Sequence, residues 1–444
     1  MTSAELFGHL PASETIQTKA AGAPRLREPV RDQIELRPVD LDALIGPEHA
    51  ARVIWDYVRR LDLRDLEEAV NAREHTPGQA PVSPQLLLAL WLYATSQGIG
   101  SARALDRLCK SHDAYRWLCG GVTVNYHGLS DFRTVHPALL DRLLTEHVAT
   151  LSTAGVINLD EVVQDGVRVR ASAGASSFRR KKKLHKEFGK AERLVERLKQ
   201  ETDADPDASN RRIRAAQERA AHERAERVAA AQQALAEIER QRAERAKRRG
   251  RRKDEPKKEP RASTTDADAR VMKMADGGFR PAYNCQVSTV AGGQIVIAVR
   301  AETTGSDRGL MRPMLEEVQR RYRRRPKRHL TDGGLVSNAD TEWAASSGVQ
   351  VYAPPTKSKH NTDPYLPRSD DGPGVAAWRK RMKSPHGKSI YKRRGLAECM
   401  NARFRQWRLY QFTVRGREKV NTLLHWFALA NNVLTGHRLI MART

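Results

Sequence analysis

The sequence predicts an α/β protein whose core is a mixed sheet flanked by helices, with a helical N-terminal domain and a coiled-coil helical insert. Three observations carry that prediction. β-Branched residues alternate through 161–171 and return in short runs at 282–301, 329–332 and 349–352. Apolar residues recur at helix spacing before residue 150 and again after 308. Between 178 and 262 a highly charged stretch carries an apolar repeat of three and four residues.

Taken in order, residues 1–34 show no period and read as a flexible lead. Residues 35–150 read as a helical domain for DNA binding or dimerisation. Val53, Ile54, Tyr57, Val58 and Leu61 share one helix face. A Pro/Gly-rich loop, Thr76 to Pro81, precedes Ser83, a cap with Pro84 at the first helical position and an apolar run from Leu86 to Tyr93. Further helices are expected at Ala102–Cys109, Ala114–Leu118 and Asp131–Ala149. A strand follows at 161–171, with Asp165 interrupting its apolar face.

The insert, 178–262, places Leu184, Phe188, Ala191, Val195 and Leu198 at 4-3-4-3 spacing. After a turn at Glu201–Asp207 it places Val228, Ala231, Leu235 and Ile238 at 3-4-3. That predicts an antiparallel coiled-coil hairpin, closed by the basic run Arg248–Lys253. Beyond it come strands at Ala282–Thr289 and Gln294–Ala301 around a Gly292-Gly293 turn. A helix at Arg308–Tyr322 turns Met311, Met314, Leu315 and Val318 inward. A strand ends at Asp332, and another runs from Val349 to Tyr352. Residues 355–390 read as a loop insert, followed by helices at Tyr391–Tyr410 and Glu418–Leu434. Three successive strands followed by alternating helix and strand fit a ribonuclease-H-like core over residues 155–440.

Composition narrows the function. The chain has 444 residues, 39% of them apolar, enough for a sizeable core. Its formal net charge is +25. Such an excess repels itself unless it meets a polyanion, and nucleic acid is the expected partner. Cys109, Cys119, Cys285 and Cys399 have no paired ligand spacing, so zinc is not expected. Met1–Val30 has no basic start followed by an apolar run, so no signal peptide is expected. No stretch approaches the ~20 apolar residues of a membrane span. A cytoplasmic, nucleoid-associated bacterial protein is the expectation. A phosphate-binding glycine loop ending in Gly-Lys-Ser/Thr is absent from the sequence, so no nucleotide cofactor is expected.

Phosphodiester cleavage without a covalent intermediate needs an activated oxygen, a stabilised leaving group and charge neutralisation, which two divalent ions can supply. The search is therefore for carboxylates that a fold can bring together. Asp165 lies within a strand and precedes Gly166. Asp332 ends a strand and precedes Gly333 and Gly334. Glu398 sits on a helix stripe with Tyr391, Arg394, Asn401 and Arg405, bordering a buried face of Ala397, Met400, Phe404 and Trp407. Asp160 and Glu161 are rivals to Asp165. Asp340 and Glu342 read as helix first-turn acids. Trp343 and Trp378 are candidates for base stacking or, more simply, for packing.

Tyr391-x2-Arg394-x3-Glu398-x6-Arg405 resembles the Y-x2-R-x3-E-x6-K signature of bacterial insertion-sequence transposases of the broad DDE superfamily, with Arg for the final Lys. Gln164–Ala173 is similar to that group's first-Asp motif, and Leu330–Gly334 to its second. Ser263–Arg270, Gly277-Gly278 and Tyr283-Asn284 resemble the block before the second strand in the insertion sequence 1182 type, within the insertion-sequence 4/5 superfamily. Pro81–Leu144 resembles its helical domain.

The resemblance spans most of 35–440. It implies a ribonuclease-H-like DDE site in which Asp165, Asp332 and Glu398 are catalytic and hold two Mg2+ ions, with Mn2+ as a substitute. It implies that Tyr391, Arg394 and Arg405 bind DNA. The partners implied are double-stranded DNA, as transposon ends and target, and a second copy of the chain. Two alternatives stand beside it: a catalytically inactive DNA-binding relative or regulator, and a basic coiled-coil protein that organises nucleic acid.

Overall fold

The structure is a computed structural model that describes residues 38–68, 70, 80–204, 211–248, 259–356 and 363–443. The chain divides into Met1–Asp40, of which only 38–40 are described, and Leu41–Thr444, which holds every described helix and strand. The expected flexible lead, most of the Thr76–Pro81 loop and all but Arg248 of the basic run at 248–253 lie outside the described residues.

Seven helices come first: α1 (Ala50–Arg59), α2 (Arg64–Glu68), α3 (Pro84–Ser96), α4 (Ala102–Ser111), α5 (Asp113–Cys119), α6 (Tyr126–Val135) and α7 (Pro137–Thr153). Short polar caps start several of them. Ser101 accepts from the Ala104 amide at 3.4 Å and Asn125 from the Gly128 amide at 2.8 Å. Ser83 precedes α3 without a side-chain cap bond, and Pro84 alone marks that start. The single helix expected at Asp131–Ala149 is two helices. Pro137 cannot continue α6, so the chain breaks at His136 and restarts with Pro137 in the first turn of α7.

Next come β1 (Glu161–Arg170), β2 (Phe178–Arg179), the long helices α8 (Lys181–Ala204) and α9 (Arg211–Arg248), β3 (Ala262–Ser263), β4 (Arg270–Lys273), β5 (Phe279–Val290) and β6 (Val296–Glu302). The chain continues through α10 (Met311–Tyr322), β7 (Arg328–Thr331), α11 (Asn338–Ser346), β8 (Gln350–Tyr352), α12 (Pro373–Lys383), α13 (Pro385–Lys392), α14 (Gly395–Gln406) and α15 (Arg417–Met441). α8 and α9 pack as a hairpin through Leu184, Val228, Ala231 and Leu235, with Phe188 at the margin.

The sheet is mixed, in the order β4-β5-β1-β7-β8, with β6 also on β5. β1 is central. It runs antiparallel to β5, from Val162 opposite Val290 to Arg170 opposite Ala282. It runs parallel to β7, from Glu161 opposite Arg328 to Gln164 opposite Thr331, and β8 continues parallel on β7. β4 and β6 share the far edge of β5. Both faces of β1 are covered, which is why Val162 is buried as well as Val163, Val167 and Val169, which alternation places on the other face.

Residues 355–390 are not a loop insert. α12 and α13 occupy much of that stretch, and 357–362 lie outside the described residues. Pro373 and Pro385 stand in first turns, where a missing N–H costs nothing, and Val375, Trp378 and Met382 bury one stripe. The single helix expected at Tyr391–Tyr410 is also divided. α13 ends at Lys392, a turn at Arg393 and Arg394 intervenes, and α14 stops at Gln406. The four-residue signature therefore bridges two helices.

α15 joins two cores. Val420, Leu423, Leu424, Phe427 and Ala428 pack on the sheet side. Trp426, Leu429, Ala430 and Val433 pack among the N-terminal helices. Among the described residues no helix is long and apolar enough to cross a membrane.

Candidate active site

β1 and β7 bring two of the sequence-predicted carboxylates side by side. Gln164 and Thr331 are the last paired residues of these parallel strands, and the next residues in the chain are Asp165, still on β1, and Asp332, just past the end of β7. Asp165 points from β1 toward α14. Its Oδ1 accepts the Gly166 amide at 2.9 Å, and its Oδ2 accepts Nδ2 of Asn401 at 2.9 Å. Burial pushes its carboxyl above the ordinary range. The Gly166 amide and the Arg394 charge oppose that shift, and the neighbouring Asp332 adds to it. Asp332 is exposed, with Oδ1 accepting the Gly333 amide at 2.8 Å.

Glu398 enters from the first turn of α14. Its carboxylate is 68% exposed and accepts from Nη1 of Arg394 at 3.0 Å. The Arg394 side chain is mostly buried, and its Nε has no partner. Glu398, Asn401, Arg405 and Tyr410 line one open cleft with Asp165 and Gly166. Tyr391 lies on α13, half-buried. Burial raises its phenol pKa, the Arg394 charge opposes the rise, and Asp332, Asp165 and Glu398 all add to it. Across the helix break Arg394 and Glu398 remain paired.

The three do not form a closed cluster. Among the described residues no group of three or more His, Cys, Asp or Glu side chains stands close enough to hold a metal ion. Asp165 lies on β1 and Asp332 just past the end of β7, and Glu398, on α14, is paired with Arg394. Their chemistry nevertheless fits a hard cation: all three offer carboxylate oxygens, and the Asn401 Oδ1 beside them is buried without a partner.

The rival acids are all engaged elsewhere. Asp160 pairs with Arg324 at 2.6 Å and Lys327 at 2.9 Å. Glu161 pairs with Arg393 at 3.1 Å and Arg328 at 3.4 Å, so it ties the α13–α14 turn to the start of β1. Asp340 meets the Ser337 hydroxyl at the start of α11. Glu342 accepts the Gly374 and Val375 amides at the start of α12, both at 3.0 Å. Trp378 is buried and donates to the Ala353 carbonyl, whereas Trp343 lies under the guanidiniums of Arg312 and Arg325.

On the opposite face of β1, a polar ladder fixes the strand. Gln164 donates to Gln286 at 2.8 Å, Gln286 to Asn284 at 3.0 Å and Asn284 to Asp307 at 2.6 Å, and Asp307 pairs with Arg168 at 3.0 Å. Gly166 leaves room for it, because a Cβ there would sit 2.5 Å from the Gln286 Nε2. Sequence reasoning misses both this ladder and the bond from Asn401 to Asp165. The only signal for Asn401 is its place three residues after Glu398.

Residues 39–135, which run from just before α1 to the end of α6, match a family model described as Transposase domain (DUF772). That part of the chain is similar to a domain of transposases, which supports a transposase in general, with DNA as partner. No curated protein and no solved structure matches the chain.

Proposed function

We propose that the chain is a DDE-type DNA transposase of the insertion-sequence kind, resembling the insertion sequence 1182 type, with Asp165, Asp332 and Glu398 as its catalytic carboxylates. One observation carries this reading: Asp165 and Asp332 directly follow Gln164 and Thr331, the last pair in the parallel register of β1 and β7, and Glu398 lines a cleft with Asp165. The order of three antiparallel strands, then parallel strands alternating with helices, supports a ribonuclease-H-like core. The similarity of residues 39–135 to a transposase domain supports the same class.

In this reading the three carboxylates hold two Mg2+ ions, or Mn2+ in their place. When bound, such ions favour the attacking oxygen and neutralise the scissile phosphate. Arg394, Arg405 and Tyr391 position DNA phosphates or bases along the cleft. Arg405 offers a planar fork for two phosphate oxygens where a lysine would offer a point charge. Asn401 holds the Asp165 carboxylate in orientation. Glu398 exchanges its Arg394 contact for the active arrangement when DNA enters, and Arg394 is then free for phosphate. Water attacks the scissile phosphate and releases a 3′-hydroxyl, which attacks target DNA at the same site. Synapsis of two ends calls for two copies of the chain.

The test is cleavage of duplex DNA carrying the element's terminal inverted repeats. Asp165→Asn, Asp332→Asn and Glu398→Gln should each lower Mg2+-dependent cutting by about 1,000-fold or more, since several kcal/mol of charge stabilisation at the phosphate is lost. DNA affinity should change by less than about threefold, because the phosphate-binding cations remain. Metal-dependent cutting that survives in any of the three removes that residue from the site. The Arg394-bound, outward Glu398 favours one second reading, a DNA-binding relative without activity, and wild-type binding without cutting would select it.

A further inference from the structure

The α8–α9 hairpin interrupts the chain between β1 and the rest of the sheet, and nothing in the cleft uses it. Its root is neutralised. Arg179 pairs with Glu187 at 3.0 Å, Arg180 with Glu259 at 3.4 Å and Lys181 with Glu239 at 3.1 Å. Beyond that root the pattern changes. Lys182, Lys186, Lys190, Arg193 and Arg197 follow one another at intervals of four, four, three and four residues. At helical pitch these positions fall within about 80° of arc and span about 22 Å. All five are exposed, and none has an acidic partner among the described residues. The acids of this helix whose side chains are described, Glu187, Glu192, Glu196 and Glu201, fall outside that arc, Glu201 by the narrowest margin. α9 does not repeat the pattern. Two of its cations pair within the helix, Arg227 with Glu223 and Arg240 with Glu237.

We propose that this face of α8 is a docking surface for the sugar-phosphate backbone of duplex DNA, outside the cleavage cleft. A straight row of unpaired cations at intervals of one helical turn matches a rigid, regularly charged rod. A membrane surface would need an apolar flank beside the cations. Here the apolar side, Leu184 and Ala191, is buried, Leu184 against α9. Single-stranded nucleic acid would call for aromatic platforms among the cations, and the stripe has none. The arm thus adds grip without sequence preference, on DNA that flanks the cut or on the target. The inference rests on the transposase reading for its choice of DNA, and its test does not depend on cleavage.

The experiment measures binding of the full chain to a random-sequence 40-base-pair duplex by fluorescence anisotropy, across a series of salt concentrations. In the variant Lys182→Gln/Lys186→Gln/Lys190→Gln/Arg193→Gln/Arg197→Gln, the slope of log affinity against log salt should fall by about four, close to one ion released per lost phosphate contact. A charge-matched control, Arg219→Gln/Arg224→Gln/Arg227→Gln/Arg240→Gln/Arg242→Gln on α9, should lower it by about one or less. Gln keeps helix propensity close to that of Lys and Arg, so far-UV circular dichroism should match wild type. Equal losses in the two variants would reduce the effect to net charge and overturn the proposal. So would an unchanged slope in the α8 variant. Tight binding to anionic vesicles with none to the duplex would overturn it as well, and would remove DNA from the transposase reading too. If the α8 variant binds like wild type while Asp165→Asn abolishes cutting, only the docking surface fails.

Discussion

Asp165 carries its charge in a half-buried setting, and that has a measurable cost. Burial raises its folded-state pKa above the unfolded value, with Asp332 adding to the rise. The folded chain therefore binds this proton more tightly than the unfolded chain. The ionised form subtracts stability at neutral pH, and the loss fades as pH falls through the folded pKa toward the unfolded carboxylate range near 4. Asp165→Asn should thus raise the melting temperature of the metal-free protein near neutral pH, and the gain should shrink toward pH 4. The substitution leaves the number of orphaned groups unchanged: Asn401 can turn its amide and offer the partnerless Oδ1 to the introduced NH2, and its own NH2 then takes the partnerless position. Added Mg2+ should then stabilise the wild type and leave the variant unmoved. A loss of stability at neutral pH, or a gain independent of pH, would mean that burial of this charge is already compensated within the fold.

At the scale of elements, the sequence is readable where a local pattern has only one structural outcome. The alternating β-branched run makes β1 legible, with Asp165 in it. The stripe from Tyr391 to Arg405 is legible because i, i+3 and i+4 neighbours stay together even across a tight turn. The turn itself is not, since Arg393 and Arg394 are ordinary helix formers, and what holds it is the Arg393 pair with Glu161, 232 positions earlier in the chain. α12 is hidden by a different rule: proline marks loops and helix starts alike, and only burial of Val375, Trp378 and Met382 decides between them. The bond from Asn401 to Asp165 joins residues far apart in sequence and has no local signature.

The loop after β7 shows the same limit. Gly333 and Gly334 look equivalent in sequence. In the fold, a Cβ on Gly333 would press into the Pro354 carbonyl oxygen and stand 3.3 Å from the Pro354 Cγ, whereas one on Gly334 meets nothing within 4 Å. Gly333→Ala should therefore cost about 1–3 kcal/mol, as overpacking against backbone does. Gly334→Ala should stay within about 0.5 kcal/mol. Urea denaturation of both variants measures this, and equal effects would sink the assignment of Gly333 as the close-packed glycine beside Asp332.

At the scale of the whole molecule, α15 makes the described helices and the sheet one folding problem. The segment similar to a transposase domain, 39–135, does not close its own core: Trp426, Leu429, Ala430 and Val433 complete it. Trp426 packs against Phe132 and donates to the Arg133 carbonyl at 2.9 Å. From the same helix, the Asn432 side chain accepts the Val296 amide at 2.8 Å and donates to the Val296 carbonyl at 2.6 Å, which fastens it to β6. Composition can announce a polyanion partner through the +25 charge, but no periodicity can announce that the last helix belongs to two cores. Trp426→Ala should cost about 3–5 kcal/mol, the usual loss for a fully buried indole. Because both cores share the helix, the cost should fall on them together: intrinsic tryptophan fluorescence and far-UV circular dichroism should shift to lower urea by the same amount in one transition. A chain cut before residue 417 should leave residues 41–153 without stable helix. Two separated transitions in the variant, or a folded fragment, would show that the N-terminal helices stand alone and that α15 only rests against them.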